Sequence, residues 1–415
     1  MKYDEIRKRG WKILKLKDIC IQITDGTHKT PNYVEKGTPF ISTQNLKPFS
    51  KTFDFSQYKK FISQEEHNFL IKRCNPEKGD ILLSKCGTIG RAQVVRVDYT
   101  FSLFVGVALL KLNKKEVSCD FLEQLLNFPP IVKKMKRSSP GSTRKTLTIR
   151  AIENLLLPLP PLPEQKKIAE ILGSVDEAIE ITDKEIEKVE RLKKGLMQEL
   201  LTRGIGHKKF KKTEIGIIPE EWEVVRIGNI GNVVTGTTPS TKIIEYWGTD
   251  IPFVTPSDFK KTKYVKFTER KVSKTGAKIG KLIPPKSVMV VCIASVGEVS
   301  LASSMCITNQ QINSIVCKEN IDPEYIYYVL SGRKGILQSW AGITTTPIIK
   351  KSLFEKFPIP LPPLPEQGKI AEILSGVDEL LETLRNRKGQ LQRLKKGLME
   401  DLLTGKRRVK INGNP

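Results

Sequence analysis

The 415-residue chain has little of what a catalyst, a disulfide-stapled domain or a membrane protein needs. There are three histidines, His28, His67 and His207, and none stands at a metal-ligand spacing from another. The seven cysteines (Cys20, Cys74, Cys86, Cys119, Cys292, Cys306, Cys317) are an odd count without a C-x-x-C pair. That pattern fits neither a disulfide framework nor a zinc knuckle, and the expected compartment is a reducing cytoplasm. Residues 1–10 are charged and run straight into Trp11, so no apolar signal core directs export. The longest apolar stretch, residues 101–112, is about half the length of a bilayer crossing. No G-x-x-x-x-G-K-[ST] loop occurs, since residues 276–281 have the wrong spacing and no hydroxyl follows Lys281. Asn127-Phe128-Pro129-Pro130-Ile131 differs from the catalytic loop of amino-methyltransferases by an inserted residue and a missing aromatic, and reads as a plain loop. Asp250, Asp258 and Lys260 would suit a metal-dependent nuclease, but Asp-x-Lys is too common by chance to carry that reading. The expectation is a chain with no catalytic residue, no metal and no cofactor of its own.

Acidic residues are also short: 45 Asp and Glu face 70 Lys and Arg, a net charge of +25 and a pI near 9.6. Such an excess points to a polyanionic partner, nucleic acid ahead of an acidic membrane. With 39% hydrophobic residues, disorder does not explain the charge. The densest basic runs are Lys133-Lys134-Met135-Lys136-Arg137, Arg144-Lys145, residues 208–212 and Lys406-Arg407-Arg408. They are the candidates for phosphate contacts, which give affinity and salt dependence but no sequence readout.

What the chain does have is an internal repeat. Leu157-Pro158-Leu159-Pro160-Pro161-Leu162-Pro163-Glu164-Gln165 returns as Ile359-Pro360-Leu361-Pro362-Pro363-Leu364-Pro365-Glu366-Gln367. The match continues to Arg191-Leu192-Lys193-Lys194-Gly195-Leu196-Met197, which is repeated letter for letter at 393–399. About 28 of 46 aligned positions are identical. The segments before each copy agree more weakly: residues 11–16 with 222–227, Pro39-Phe40-Ile41-Ser42 with Pro252-Phe253-Val254-Thr255, and Thr88-Ile89-Gly90 with Ser295-Val296-Gly297. The order is module, repeated element, module, repeated element, with a basic linker at 207–212.

The repeated element reads as a helix with Pro163 and Pro365 in its first turn. Apolar residues three or four apart make a coiled-coil seam: Ile168, Leu172, Val175, Ile179, Ile186, Val189, Leu192 and Leu196 in the first copy. Ile370, Leu374, Val377, Leu381, Leu384, Leu391, Leu394 and Leu398 make it in the second. About 40 residues give a rod on the order of 60 Å. Its matched partner is the other copy, and twofold pseudosymmetry would lay the two antiparallel. Gly195 and Gly397, near the helix ends, are expected either where the helix backbones approach closely or as positions that merely tolerate fraying. Charge on the helices nearly cancels, so the positive excess belongs to the modules and linkers.

Sequence readout needs directional donors and acceptors on loops or strands. The first module offers Thr24, Thr27, His28, Lys29, Gln44, Asn45, Lys85, Arg91 and Gln93, with Arg137, Arg144 and Lys145 as basic neighbours. The second offers Thr235, Thr237, Thr238, Ser240, Lys242, Ser257, Asp258, Asn309, Gln310 and Gln311. Two unlike sets in two related modules suit a protein that reads two different short sequences.

The doubled Pro-Leu-Pro-Pro-Leu-Pro-Glu-Gln…Ile-Ala-Glu-Ile-Leu…Val-Asp element, ending in Leu-Lys-Lys-Gly-Leu-Met, resembles the specificity subunit of type I restriction-modification enzymes over nearly the whole chain. The resemblance implies two α/β (α+β) target recognition domains, separated by a pair of long antiparallel coiled-coil helices whose length sets the gap between half-sites. The expected domains are 1–156 and 205–358, the second including the linker; the spacer helices are 157–204 and 359–406, with a tail at 407–415. It further implies double-stranded DNA and methylation and restriction subunits as partners, with S-adenosylmethionine, ATP and magnesium on those subunits and no catalysis in this chain. Unlike modules imply an asymmetric bipartite site. A related two-component modification system, a non-catalytic coiled-coil scaffold and a DNA-modifying enzyme with unrecognised motifs are the weaker alternatives.

Overall fold

The computed structural model describes residues 3–138, 146–259, 262–342 and 345–410. They form two compact units, Met1–Lys184 with Asn386–Pro415, and Glu185–Arg385. Both boundaries fall inside a long helix, Leu162–Arg203 or Leu364–Leu402. Each unit thus holds one module, the N-terminal half of one long helix and the C-terminal half of the other.

In the first unit, buried Trp11 leads into strand Lys12–Lys15, which pairs antiparallel with Leu156–Leu159, Lys12 opposite Leu159 and Lys15 opposite Leu156. The module's first and last strands therefore zip together. Part of the repeated proline-rich run is strand rather than helix. Proline lacks the donor of a central strand but is tolerated in this two-stranded ribbon. The helix begins at Leu162, with Pro163 in its first turn as expected. The main sheet has four antiparallel strands in the order Cys20–Asp25, Val107–Leu112, Ile81–Ser84, Ala92–Val94. Strand Ile81–Ser84 is buried throughout, as its unbroken apolar run requires. Helices Cys119–Leu126 and Pro129–Arg137 contribute to the core beside this sheet. Asn127–Ile131, expected as a loop, is a helix start instead: Pro129 and Pro130 occupy the first turn, where a missing N–H costs nothing. A smaller sheet joins Tyr33–Val34, Phe61–Ile62, Thr38–Ile41 and Ser102–Leu103.

The second unit repeats this plan. Glu223–Arg226 pairs with Pro358–Leu361, and the main sheet runs Gly231–Thr235, Ile312–Cys317, Val288–Val291, Val299–Ala302, extended by the parallel Tyr264–Val265. The weak sequence parallels between the modules thus fall on equivalent strands and turns.

The repeated motif anchors each helix to its module. Buried Gln165 accepts a hydrogen bond from the Ser118 N–H (2.9 Å) and donates to the Glu116 and Pro160 carbonyls (3.1 and 2.9 Å). Gln367 accepts from the Asp322 N–H (2.9 Å) and donates to the Pro362 carbonyl (2.8 Å). Ile168 and Leu172 pack with module core residues and with Met399, Leu402 and Leu403; Val175 is buried and Ile179 half-buried. Ile370 and Leu374 pack likewise with Leu200 and Leu201; Leu381 is buried and Val377 half-buried. The upper part of each seam therefore serves module docking as well as helix pairing.

The helix halves run antiparallel within each unit. In the first, Asp176 meets Lys395 and Asp183 meets Lys388, both at 2.5 Å. In the second, Lys193 meets Asp378 at 2.5 Å and Glu190 meets Arg385 at 2.7 Å. Leu192 and Leu394, expected on the seam, are instead 53% and 51% exposed, because Lys193 and Lys395 take the inward positions beside them for these ion pairs. Nor do Gly195 and Gly397 mark close backbone approach, since a Cβ built on either meets no atom within 4 Å.

Candidate nucleic-acid interface

In the first unit, strand Cys20–Asp25 runs out into a loop that begins at Gly26. A Cβ there would lie 2.0 Å from the Leu103 carbonyl oxygen, so only glycine lets the loop press onto its neighbour. The Thr27 N–H donates to the Leu103 carbonyl (2.9 Å), and the Thr27 hydroxyl folds back on Lys29. Strand Ile81–Ser84 ends beside it, in the turn Lys85–Arg91. Gly87 and Gly90 take positive φ there, and Cys86 forms a bridge with Thr146. Gly90 sits against Val132 and Met135, so the helix ending at Arg137 supports the turn. This places Thr27, His28, Lys29, Lys85 and Arg91 on two loops at one end of the main sheet. Exposed Gln44 lies in the turn whose Thr43 touches the same region at Gly106.

The centre of this group is a residue not singled out from the sequence, Asp25, 4% exposed at the strand end. One carboxylate oxygen accepts from the buried Lys85 ammonium; the other faces Arg73 Nη2 (2.7 Å) and His28 Nε2 (3.2 Å). Burial alone would raise the Asp25 carboxyl, but the hydrogen bond and charge of Lys85, then those of His28, outweigh it and hold it below its ordinary value. Arg73 was also missed, because nothing in its local sequence distinguishes it from other surface cations.

The second unit fills the equivalent positions with neutral groups. Thr235 replaces Asp25 and donates to Asn313 Oδ1 (2.7 Å); Cys292 replaces Lys85, its thiol pushed up to about 11 by burial. Gly236 presses onto the Asn309 carbonyl, as Gly26 does onto Leu103. Thr238 donates to Gln310 (2.6 Å) and Asn309 pairs with Gln311 (2.8 Å), so Thr237, Thr238, Asn309, Gln310 and Gln311 come together. Ser240 and the exposed Lys242 continue the same loop.

Other candidates are engaged by the fold itself. Asn45 is fully buried, accepting from the Ser42 N–H (2.8 Å) and donating to the Asp54 and Tyr58 carbonyls (2.8 and 2.6 Å). Asp258 does the same work in the other unit, accepting from the Thr255 N–H and hydroxyl, both at 2.8 Å, with Ser257 exposed beside it. Gln93 is buried between the Lys47 N–H and the Ser50 and Thr52 carbonyls. Among the basic runs, Lys134 bonds the Tyr3 hydroxyl (3.1 Å), whereas Lys133, Lys136 and Arg137 are exposed. Lys406, Arg407 and Arg408 pair with Glu400, Asp401 and Glu164, and of the three Arg407 stays the most exposed. Arg144, Lys145 and Lys260 lie outside the described residues. Among the described residues, no group of three or more His, Cys, Asp or Glu side chains could hold a metal, and no helix is long and apolar enough to cross a membrane.

Two modules of one plan, each with its own polar loops at the same sheet end and its own anchored long helix, define a doubled recognition scaffold. The model of the type I restriction modification DNA specificity domain matches the chain twice, over residues 8–191 and 219–393. The chain belongs to this family and is a type I restriction-modification specificity subunit with two DNA recognition domains. It is 32% identical over 416 residues to a Methanocaldococcus jannaschii protein provisionally named the type I restriction enzyme MjaX specificity subunit, covering 96% of this chain and 94% of that one. It is 30% identical over 387 residues to the MjaVIII specificity subunit of the same organism, covering 90% and 86%. The fold matches the solved S subunit of a type I system from M. genitalium, with a TM-score of 0.63, 14% identity and coverage of 94% and 96%.

Proposed function

We propose that each recognition domain reads one half of an asymmetric, bipartite DNA site, and that the long helices fix the gap and present the same docking face to two methylation subunits. One observation carries this reading: the modules differ where their loops are exposed, whereas the helices agree where theirs is. Arg191, Leu192, Lys194 and Gly195 are exposed in one unit, and the identical Arg393, Leu394, Lys396 and Gly397 are exposed in the other. Exposed residues are under no packing constraint from their own fold, so a letter-for-letter match suits two copies of one partner.

On this reading the chain makes and breaks no covalent bond. Methyl transfer with S-adenosylmethionine, and ATP- and magnesium-dependent restriction, belong to the partner subunits in the cytoplasm. The test is selection from a randomised duplex library by the tagged chain with whatever co-purifies, at two salt concentrations. Two unlike half-sites at a fixed gap and a co-purifying methyltransferase are expected. Sequence-blind binding without a methyltransferase would overturn the reading, as would methyl transfer by the rigorously purified chain alone.

A further inference from the structure

We propose that Arg73, held by Asp25, reads a guanine in the half-site of the first recognition domain. The inference rests on the reading of the modules as DNA readers and goes beyond it to a residue and a base.

The argument begins with charge. Buried Lys85 already balances the single charge of Asp25, so the carboxylate needs no second cation for stability. Arg73 nevertheless places Nη2 2.7 Å from Asp25 Oδ1 while its side chain remains 58% exposed. A pair between a surface cation and an already neutralised carboxylate contributes little to folding. What it does achieve is positional: a long side chain loses its rotamer freedom before any ligand arrives.

Geometry then selects the ligand. A guanidinium carries five N–H donors in a planar fork, and Asp25 occupies one nitrogen. The remaining edge can donate two parallel bonds, which matches O6 and N7 of guanine in the major groove. A phosphate would be met by an untethered lysine, so fixing the plane of a guanidinium adds nothing to that contact. Guanine is neutral and presents only acceptors on that edge. His28, on the other flank of Asp25 Oδ1, narrows the approach. The second unit has neutral Thr235 in place of Asp25, so this tethered arginine belongs to the first half-site.

The test is duplex selection with the complete complex carrying wild-type chain, Arg73→Ala, Arg73→Lys or Asp25→Asn, with thermal unfolding as the check on folding. Arg73 is exposed, so its variants keep the fold even where Asp25→Asn does not. Wild type should select a G·C pair in one half-site. Both Arg73 variants should lose roughly ten- to a hundred-fold of the preference at that base pair, with the other half-site untouched. Arg73→Lys keeps the charge, and its loss of the guanine separates planar readout from simple attraction. Equal weakening on all sequences would show a phosphate contact and overturn the proposal, as would an unchanged motif. A wild-type selection without a bipartite motif would instead overturn the reading of the modules as DNA readers, and the proposal with it.

Discussion

Arg408 grips Glu164 with two nitrogens, at 2.6 and 2.8 Å, and so ties the segment after the second long helix to the start of the first. Glu164 is 1% exposed. Its counterpart Glu366 is held instead by His207 (2.9 Å), the Trp222 indole N–H (3.0 Å) and the Ile205 N–H (2.9 Å). Removing one partner of a buried charge costs more than the pair contributes. Arg408→Ala should therefore lower stability by about 2–4 kcal/mol, read as an earlier thermal transition. The same change at exposed Arg137 should be silent.

Gly195 and Gly397 offer the opposite experiment. Both are helical, exposed and clear of neighbouring atoms, so alanine fits without strain. Each Gly→Ala change should raise stability by roughly 0.5–1 kcal/mol. A loss in the free chain would mean that the backbone there is not simple helix. Unchanged melting with weakened partner capture would place the glycines in the docking face.

Acid should act through Asp25 and Glu324, both held below their ordinary values. For Glu324, burial opposes the shift, while hydrogen bonds from Lys263, Tyr264 and Ser375 outweigh it. A carboxylate with a depressed native pKa contributes stability that is complete above its unfolded value, near 4, and is lost as pH falls through the native value. Thermal midpoints should drop as pH falls below about 4, and Asp25→Asn should flatten part of that slope. A midpoint that rose on acidification would refute the assignment.

The proposed docking face can be charged without touching the core. Leu192→Glu with Leu394→Glu should change stability by no more than about 0.5 kcal/mol, yet abolish co-purification of the methylation subunits. Retention of those subunits by a folded double variant would move the docking surface elsewhere.

Lys133, Lys136 and Arg137 should act as phosphate contacts. Replacing all three with Gln should weaken binding to every duplex alike and reduce the salt slope by up to about 3. Lys134 is left out because it also stacks over the Tyr3 ring, 4.9 Å from its centroid, and its loss would be felt in the fold.

Much of the scaffold could be read from the sequence because the repeat isolates it. Gln165 and Gln367 recur since both pin a helix start; Asp176 and Asp378 recur since both meet a lysine on the facing helix. The long-range polar sites were hidden. Asp25 lies 48 residues from Arg73 and 60 from Lys85, and only the pairing of Cys20–Asp25 and Ile81–Ser84 with a common middle strand brings Asp25 and Lys85 together. Polar residue type alone could not separate Gln44, which is exposed, from Asn45 beside it, which is spent on the fold. Periodicity placed Leu192 and Leu394 inside because it cannot see that a neighbouring lysine takes the inward position for an ion pair.

The ion pairs Asp176–Lys395 and Lys193–Asp378 are images of each other under the repeat. Each half of the chain carries both an aspartate and a lysine of the set, at the same separation along its helix. These two contacts are therefore self-complementary, but Asp183–Lys388 and Glu190–Arg385 are not: the repeat puts Ile186 in the place of Lys388 and Asp183 in that of Arg385. A homodimer of the first half would set Glu190 of one copy against Asp183 of the other, where the fused chain has Arg385, so these charges favour two unlike halves over twins. On the proposed reading, two unlike halves held in one polypeptide are what let the two half-sites differ.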